Sequence, residues 1–141
     1  MGIPRDKDAK RYYRAAGQRL EDATFLLDAA RTTAAVYLAG YCVECMWKAL
    51  IITQVGKDKE EVLDLFRGAG AHNYDWLRSL YVDKYGGKPP PKKDKDLVNA
   101  FVIVGSWRTD LRYDPGTMPE DDADAFLDAV RRIRSWADER L

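Results

Sequence analysis

The stretch from residue 34 to residue 54 is apolar on nearly every side, and it constrains the fold more than any other part of this 141-residue chain. Its only charged residues are Glu44 and Lys48, which stand four positions apart in the order that favours an ion pair along a helix. A helix that is hydrophobic all round belongs in the interior of a bundle. We therefore predict an all-α fold with this segment at its centre, ended by Gly56.

The segments at the two ends of the chain carry the amphipathic patterns of helices that pack around such a centre. Apolar residues recur at steps of three and four before Arg31, which predicts a first helix, and the hydroxyls of Thr32 and Thr33 are expected to cap the second. Acidic residues after Pro119 predict the start of the last helix. The apolar stripe of the first helix is Ala9, Tyr13, Ala16, Leu20, Ala23, Leu27 and Ala30, and that of the last is Ala123, Phe126, Val130, Ile133 and Ala137.

Shorter pieces connect the second helix to the last. Residues 60–67 and 73–84 have helical patterns, whereas glycine and proline make residues 86–91 and 110–119 loops. Residues 97–104 are rich in β-branched side chains, but a lone strand would have no partner, so a helix is predicted here too. The sequence thus predicts a single domain over residues 1–141, an up-and-down helical bundle of four long helices plus a short helix.

Charge and hydropathy exclude several classes of protein. The 23 basic residues are balanced by 23 acidic ones, which argues against a general nucleic-acid binder with a large basic excess. The longest uncharged runs, residues 32–43 and 97–107, fall well short of the roughly 20 apolar residues of a membrane span. Charged residues between positions 5 and 11 stand where a secretory leader would be apolar. We expect a cytoplasmic domain with no membrane contact.

The two cysteines, Cys42 and Cys45, have the spacing of a zinc or redox motif. A structural zinc site needs about four ligands, and the chain has no second cysteine pair and only one histidine, His72. The pair also lies in the middle of the apolar helix and not at a helix start. We therefore expect two buried thiols that pack in the core, with no metal and no cofactor.

An ordered set of motifs resembles the HEPN family (higher eukaryotes and prokaryotes nucleotide-binding domains), and the resemblance extends over nearly the whole chain. Its members in this sequence are Arg19-Leu20 with Asp22-Ala23 and Leu26-Leu27, Tyr37-Leu-Ala-Gly-Tyr41 followed by Glu44 and Lys48-Ala-Leu50, Ala71-His72-Asn73, and Arg112-Tyr113 before the last acidic-capped helix. The resemblance implies a bundle that often dimerises and acts on, or beside, nucleic acids or nucleotides. Many members are metal-independent ribonucleases that serve as toxins or defence effectors, and others pair with a nucleotidyltransferase.

The sequence departs from the pattern of the nuclease members, in which four to six residues separate an arginine from a following histidine. After Arg108 and four intervening residues comes Tyr113, and after Arg112 and four intervening residues comes Thr117. Six intervening residues do not lead to a histidine from either arginine. Tyrosine, with an ordinary pKa of about 10, is a poor base at neutral pH. We therefore expect a non-catalytic or degenerate HEPN domain that binds a nucleotide, an RNA phosphate or a partner protein such as a nucleotidyltransferase, in a toxin-antitoxin or defence system. The alternative is a divergent ribonuclease toxin that uses Arg108 or Arg112 with Tyr113.

The expected ligand site is a polar cluster at the end of the 97–107 helix. Arginine forks bind phosphate oxygens in pairs, which favours a phosphate pocket formed by Arg108, Asp110, Arg112 and Tyr113. The alternative is a pair of cations at a helix C-terminus with Asp110 as a local ion-pair partner. A homodimer would bring this end of the helix close to the two-fold axis, and the aliphatic run at residues 101–104 favours such an interface.

Three further residues are candidates for the same site. Glu44 and Lys48 either line it or form a structural pair that fixes packing or bridges to an arginine such as Arg112. His72 is the one side chain of a type that ordinarily titrates near neutral pH. It is either a base or a residue that is hydrogen-bonded at a helix start.

Overall fold

The computed structural model describes residues 2–141, and these residues form helices, short helical turns and loops, with no strand among them. The prediction of an all-α bundle is confirmed. A π-helical turn, Leu80–Lys84, extends the fourth helix. The helices are α1 (Lys7–Asp28), α2 (Thr32–Val55), α3 (Lys59–Leu65), α4 (Tyr74–Ser79), α5 (Lys95–Val104) and α6 (Glu120–Asp138).

The apolar helix α2 lies at the centre of the bundle, in contact with α1 and α6, while α5 packs on α6. Residues 42–52 of α2 are all buried. The helical stretch Thr32–Leu65 is long and apolar enough to cross a membrane, but 83% of its most apolar window is buried inside the bundle. Such burial is typical of a core helix that is covered by the other helices of its own chain.

Side-chain caps fix the starts of the two helices that later form the site. The Oδ1 atom of Asn73 accepts a hydrogen bond from the backbone N–H of Trp76 at 2.9 Å, at the start of α4. Asp94 does the same for the N–H of Leu97 at 3.0 Å, at the start of α5. A capped α5 confirms the predicted helix over residues 97–104, and both caps satisfy backbone donors that would otherwise be unpaired.

The connection between α1 and α2 differs from the prediction. Helix α1 ends at Asp28, and α2 begins at Thr32 itself, so the threonine hydroxyls do not cap it. The Thr32 hydroxyl donates to the Met118 carbonyl at 2.7 Å, and Thr33 Oγ1 accepts from the Met118 N–H at 3.1 Å. The expected capping role is therefore wrong, because these hydroxyls instead hold the loop that leads into α6.

The cysteines lie in the core, as predicted. Cys42 is 1% exposed and Cys45 is 9% exposed, and both are free thiols. Burial raises the pKa of each thiol to about 12, because a thiolate loses its hydration there. Neither thiol is therefore a nucleophile at neutral pH.

Candidate functional site

A groove of about 720 Å³ runs between the segment that carries α4 and the segment that carries α5. One wall is formed by residues 69–78 and the other by α5 with the residues that follow it. Trp47 of α2 and two residues of the 86–94 loop complete the lining. The polar and charged residues that line the groove are His72, Asn73, Asp75, Arg78, Lys92, Arg108, Thr109 and Asp110.

Arg108 reaches the groove because the chain leaves the helix before it. Helix α5 ends at Val104, and Trp107 is buried at 6% exposure. Arg108 follows in an extended conformation, with φ −145° and ψ 152°, ahead of the 3₁₀ turn Thr109–Tyr113. Arg108 is exposed and Asp110 is close to it along the same turn. This turn stands where the sequence predicted only a loop.

An aromatic cluster, formed by Tyr37, Tyr41, Tyr74 and Trp107, lies beneath this part of the groove. The Trp107 and Tyr74 rings stack with centroids 5.2 Å apart and planes 7° apart, and Tyr41 meets Trp107 edge-on at 5.0 Å. The Trp107 indole N–H donates to the Tyr37 carbonyl at 3.1 Å. Burial raises the pKa of the Tyr74 hydroxyl well above its ordinary value, and it also raises that of Tyr41, which is hydrogen-bonded to Tyr37. Both hydroxyls therefore stay protonated at neutral pH.

Glu44 and Lys48 form the predicted ion pair, but they lie in the interior and not in the groove lining. Each is 4% exposed. Lys48 Nζ is 3.0 Å from Glu44 Oε2, and it also lies 5.3 Å from the centre of the Phe66 ring. Two buried charges are tolerated in a protein core only when they are paired in this way.

The second oxygen of Glu44 binds His72. Its Oε1 atom is 2.7 Å from His72 Nδ1. The His72 side chain is 45% exposed, so it connects a buried carboxylate to the groove. The alternative in which Glu44 bridges to Arg112 is therefore wrong, since among residues 2–141 the side chains that contact the Glu44 carboxylate are Lys48, in an ion pair, and His72, in a hydrogen bond.

Arg112 and Tyr113 lie outside the groove lining, so the predicted four-residue cluster is divided. The Arg112 guanidinium lies over the Tyr113 ring at 4.8 Å. Hydrogen bonds to the side chains of Tyr113 and Tyr37 raise the pKa of Arg112. Tyr113 is 74% exposed. Only Arg108 and Asp110 of the predicted cluster line the groove.

Comparison with protein families identifies the family to which this fold belongs. A family model described as the HEPN domain matches residues 9–140, nearly the whole chain. The chain belongs to the HEPN family. Comparison with curated proteins and comparison with solved structures gave no match. The resemblance inferred from the motifs is therefore confirmed, and with it the association of this family with nucleotide binding and ribonuclease activity.

The groove of this HEPN domain contains residues that the sequence did not assign to the ligand site. Asn73, Arg78 and Lys92 lie on segments that no spacing rule connects with Arg108. A basic residue on the polar side of α4 was the only available signal, and many solvent-exposed helices carry one. In the part of the chain that the structure describes, no three His, Cys, Asp or Glu side chains are grouped as metal ligands.

Proposed function

We propose that this HEPN domain binds a phosphate of a nucleotide or of an RNA strand in the groove, with Arg108 as the principal contact. The observation that carries the proposal is that three cations, Arg108, Arg78 and Lys92, line one groove against two carboxylates, Asp75 and Asp110, in a chain with zero net charge. No general electrostatic field draws an anion to such a chain, so attraction must be local. An arginine fork donates two parallel hydrogen bonds to phosphate oxygens.

The uncharged part of the lining supports a nucleotide over a free anion. Val98, Phe101 and Val102 of α5 line the same groove, and Val102 is 71% exposed. Apolar side chains beside cations suit the face of a base or a ribose next to its phosphate. A volume of about 720 Å³ also falls in the range of roughly 300–1,000 Å³ that is typical of small-molecule sites.

The position of Tyr113 favours binding over catalysis in this proposal. Tyr113 was the candidate base of the ribonuclease alternative, and it lies outside the groove with Arg112 over its ring. A general base must lie within hydrogen-bonding reach of the proton that it removes. The absence of Tyr113 from the groove lining therefore supports binding by Arg108 without Tyr113 as a base.

Titration of ATP and of a short single-stranded RNA against matched variants tests the proposal. Arg108→Ala is expected to weaken binding by about tenfold or more, the worth of a lost charge-assisted hydrogen bond. Arg132→Ala, which removes an exposed arginine of α6 outside the groove, should leave the affinity within about twofold. Equal effects of the two substitutions would contradict the proposal. RNA that is shortened by the wild type and not by Tyr113→Phe would support the ribonuclease instead.

We also propose that two copies associate and that a nucleotidyltransferase or antitoxin binds the dimer in the cell. The exposed valines of α5, Val98 at 41% and Val102 at 71%, support an interface at this helix, and because both also line the groove, the ligand site would lie beside the contact between the two copies. Light scattering at micromolar concentration tests the assembly, and Val102→Asp should reduce the mass toward that of one 16.1 kDa chain. A wild-type mass of one chain would contradict the dimer.

A further inference from the structure

We propose that His72 is a phosphate contact of the groove that operates only when its ring is protonated, so that ligand binding takes up a proton. This inference rests on the proposed function, because it concerns the same groove and the same ligand class. It assigns a role to the one histidine of the chain, which lies far in sequence from Arg108. The observations that carry it are the contact with Glu44 and the exposure of the ring.

Glu44 fixes which ring nitrogen carries the hydrogen. One carboxylate oxygen of Glu44, Oε2, accepts a hydrogen bond from the Lys48 ammonium group at 3.0 Å. The other, Oε1, lies 2.7 Å from His72 Nδ1. A carboxylate paired with an ammonium group only accepts hydrogen bonds, so the hydrogen of this contact belongs to Nδ1. Lys48 and Glu44 are buried, and Glu44 therefore stays in place as an acceptor.

The second nitrogen, Nε2, is then left for the groove. In the neutral ring with a hydrogen on Nδ1, Nε2 carries a lone pair and repels a phosphate oxygen. Protonation converts Nε2 into a charged donor, which is the kind of hydrogen bond that phosphate accepts well. The His72 ring also contacts Tyr41 edge-on, with the two ring centroids 6.1 Å apart. A ring positioned in this way loses little conformational freedom when it binds a ligand.

The surroundings of His72 contain charges of both signs. Glu44, Lys48 and Tyr41 face it from α2, and the groove adds Asp75 and Arg78 from the α4 segment, Lys92 from the loop, and Arg108 and Asp110 from the segment after α5. Of these side-chain types, imidazole is the one that ordinarily changes its charge between pH 5 and 8. A phosphate beside Arg108 adds negative charge to the groove and favours the protonated ring.

The test uses a single-stranded DNA oligonucleotide with hydroxyl groups at both ends. Its phosphodiesters do not titrate near neutral pH, whereas a terminal phosphate has a second pKa of about 6 and would obscure the result. The absence of 2′-hydroxyls also removes cleavage as a complication. Calorimetric titrations at about pH 6 and about pH 8, in buffers with different ionisation enthalpies, give both the affinity and the number of protons taken up.

His72→Asn is the decisive variant, because its amide N–H reaches the position of Nδ1 while nothing replaces Nε2. His72→Gln is the matched partner, since its amide reaches toward the position of Nε2 but does not titrate. We expect the wild type to bind about tenfold or more tightly at the lower pH, with proton uptake. Both variants should bind with an affinity that changes by less than about twofold between the two pH values and with no uptake.

The outcomes separate the two claims. If His72→Asn keeps the pH dependence and proton uptake of the wild type, the role of His72 is refuted while binding in the groove still stands. If the wild type binds neither this oligonucleotide nor the ligands used above, both the proposed function and the role of His72 are refuted. Urea unfolding shows whether His72→Asn is folded, and His72→Gln decides the question if it is not.

Discussion

The Trp107 indole lies directly against Gly40 of α2, at the place where any other residue would have its Cβ atom. The Tyr74 hydroxyl donates to the carbonyl of the same glycine, so α2, α4 and the end of α5 meet at this point. Gly40→Ala should displace the indole and lower the free energy of unfolding by about 1–3 kcal/mol, the usual cost of overpacking. Urea unfolding, monitored by circular dichroism, measures this change in the free energy of unfolding.

Gly17→Ala is the control for that substitution. Gly17 also lies inside a helix, but a Cβ there meets only the flexible end of Arg134 at 3.2 Å. Alanine favours a helix interior over glycine by roughly 1 kcal/mol, so Gly17→Ala should be neutral or stabilising. If both alanines stabilise the protein, the contact between Gly40 and Trp107 does not limit packing.

Ala30 should be replaceable by glycine with a gain in stability. It adopts a positive φ of 61° after α1, and the N–H of Arg31 bonds the carbonyl of Leu26 at 2.8 Å. This is the helix-ending motif in which glycine is the preferred residue. Ala30→Gly should raise the free energy of unfolding by about 1 kcal/mol, because alanine is strained in that conformation. A lower melting temperature for Ala30→Gly would contradict this reasoning.

The buried pair of Glu44 and Lys48 should show strong coupling in a double-mutant cycle. Lys48→Met leaves the Glu44 carboxylate buried with only His72, and we expect a loss of roughly 3–5 kcal/mol of stability. Glu44→Gln leaves Lys48 unpaired and should also destabilise. The free energy of unfolding that the double variant loses should be smaller than the sum of the two single losses by more than about 1 kcal/mol. Additive losses in urea unfolding would show that the contact contributes little.

The two buried thiols predict a loss of stability at alkaline pH. An unfolded thiol ionises near its ordinary pKa, about 9, whereas burial raises the pKa of both native thiols to about 12. Between these values only the unfolded state loses protons. The contribution of the buried thiols to the free energy of unfolding is therefore complete below pH 9 and falls as the pH rises toward 12. Each thiol then costs up to roughly 1.4 kcal/mol per pH unit. A Cys42→Ala, Cys45→Ala variant should lose less stability than the wild type between about pH 8 and about pH 10.5, and equal losses would contradict the burial effect.

Local patterns predicted the fold because most of it is specified by neighbouring residues. The apolar circumference of α2 and the spacing of Glu44 and Lys48 depend on helix geometry alone, and both were predicted correctly. The threonines at residues 32 and 33 were misinterpreted for the opposite reason. Their hydroxyls bond a loop more than 80 residues away, and no local pattern contains such a contact.

The lining of the candidate site was predicted only in part, because it depends on contacts between distant segments. Arg108 and Arg112 are one helical turn apart in sequence, but the extended conformation at Arg108 and the 3₁₀ turn after it separate their environments. The contact of His72 with Glu44 spans 28 residues and becomes evident only when α4 lies beside α2. Sequence spacing therefore identified Arg108 and Asp110 for the groove but not the histidine contact.

The ligand should bind in the groove between α4 and α5, and a nuclear magnetic resonance titration tests this most directly. The Trp107 indole N–H bonds the Tyr37 carbonyl beneath the groove and serves as a local reporter. Addition of the single-stranded DNA oligonucleotide to ¹⁵N-labelled protein should shift this resonance and the backbone amides of residues 72–78 and 105–110. The amides of α1 should move little, since α1 contributes nothing to the groove lining. If the largest shifts fall instead on α1 and on the part of α6 around Arg132, the ligand binds elsewhere and the assignment of the groove is wrong.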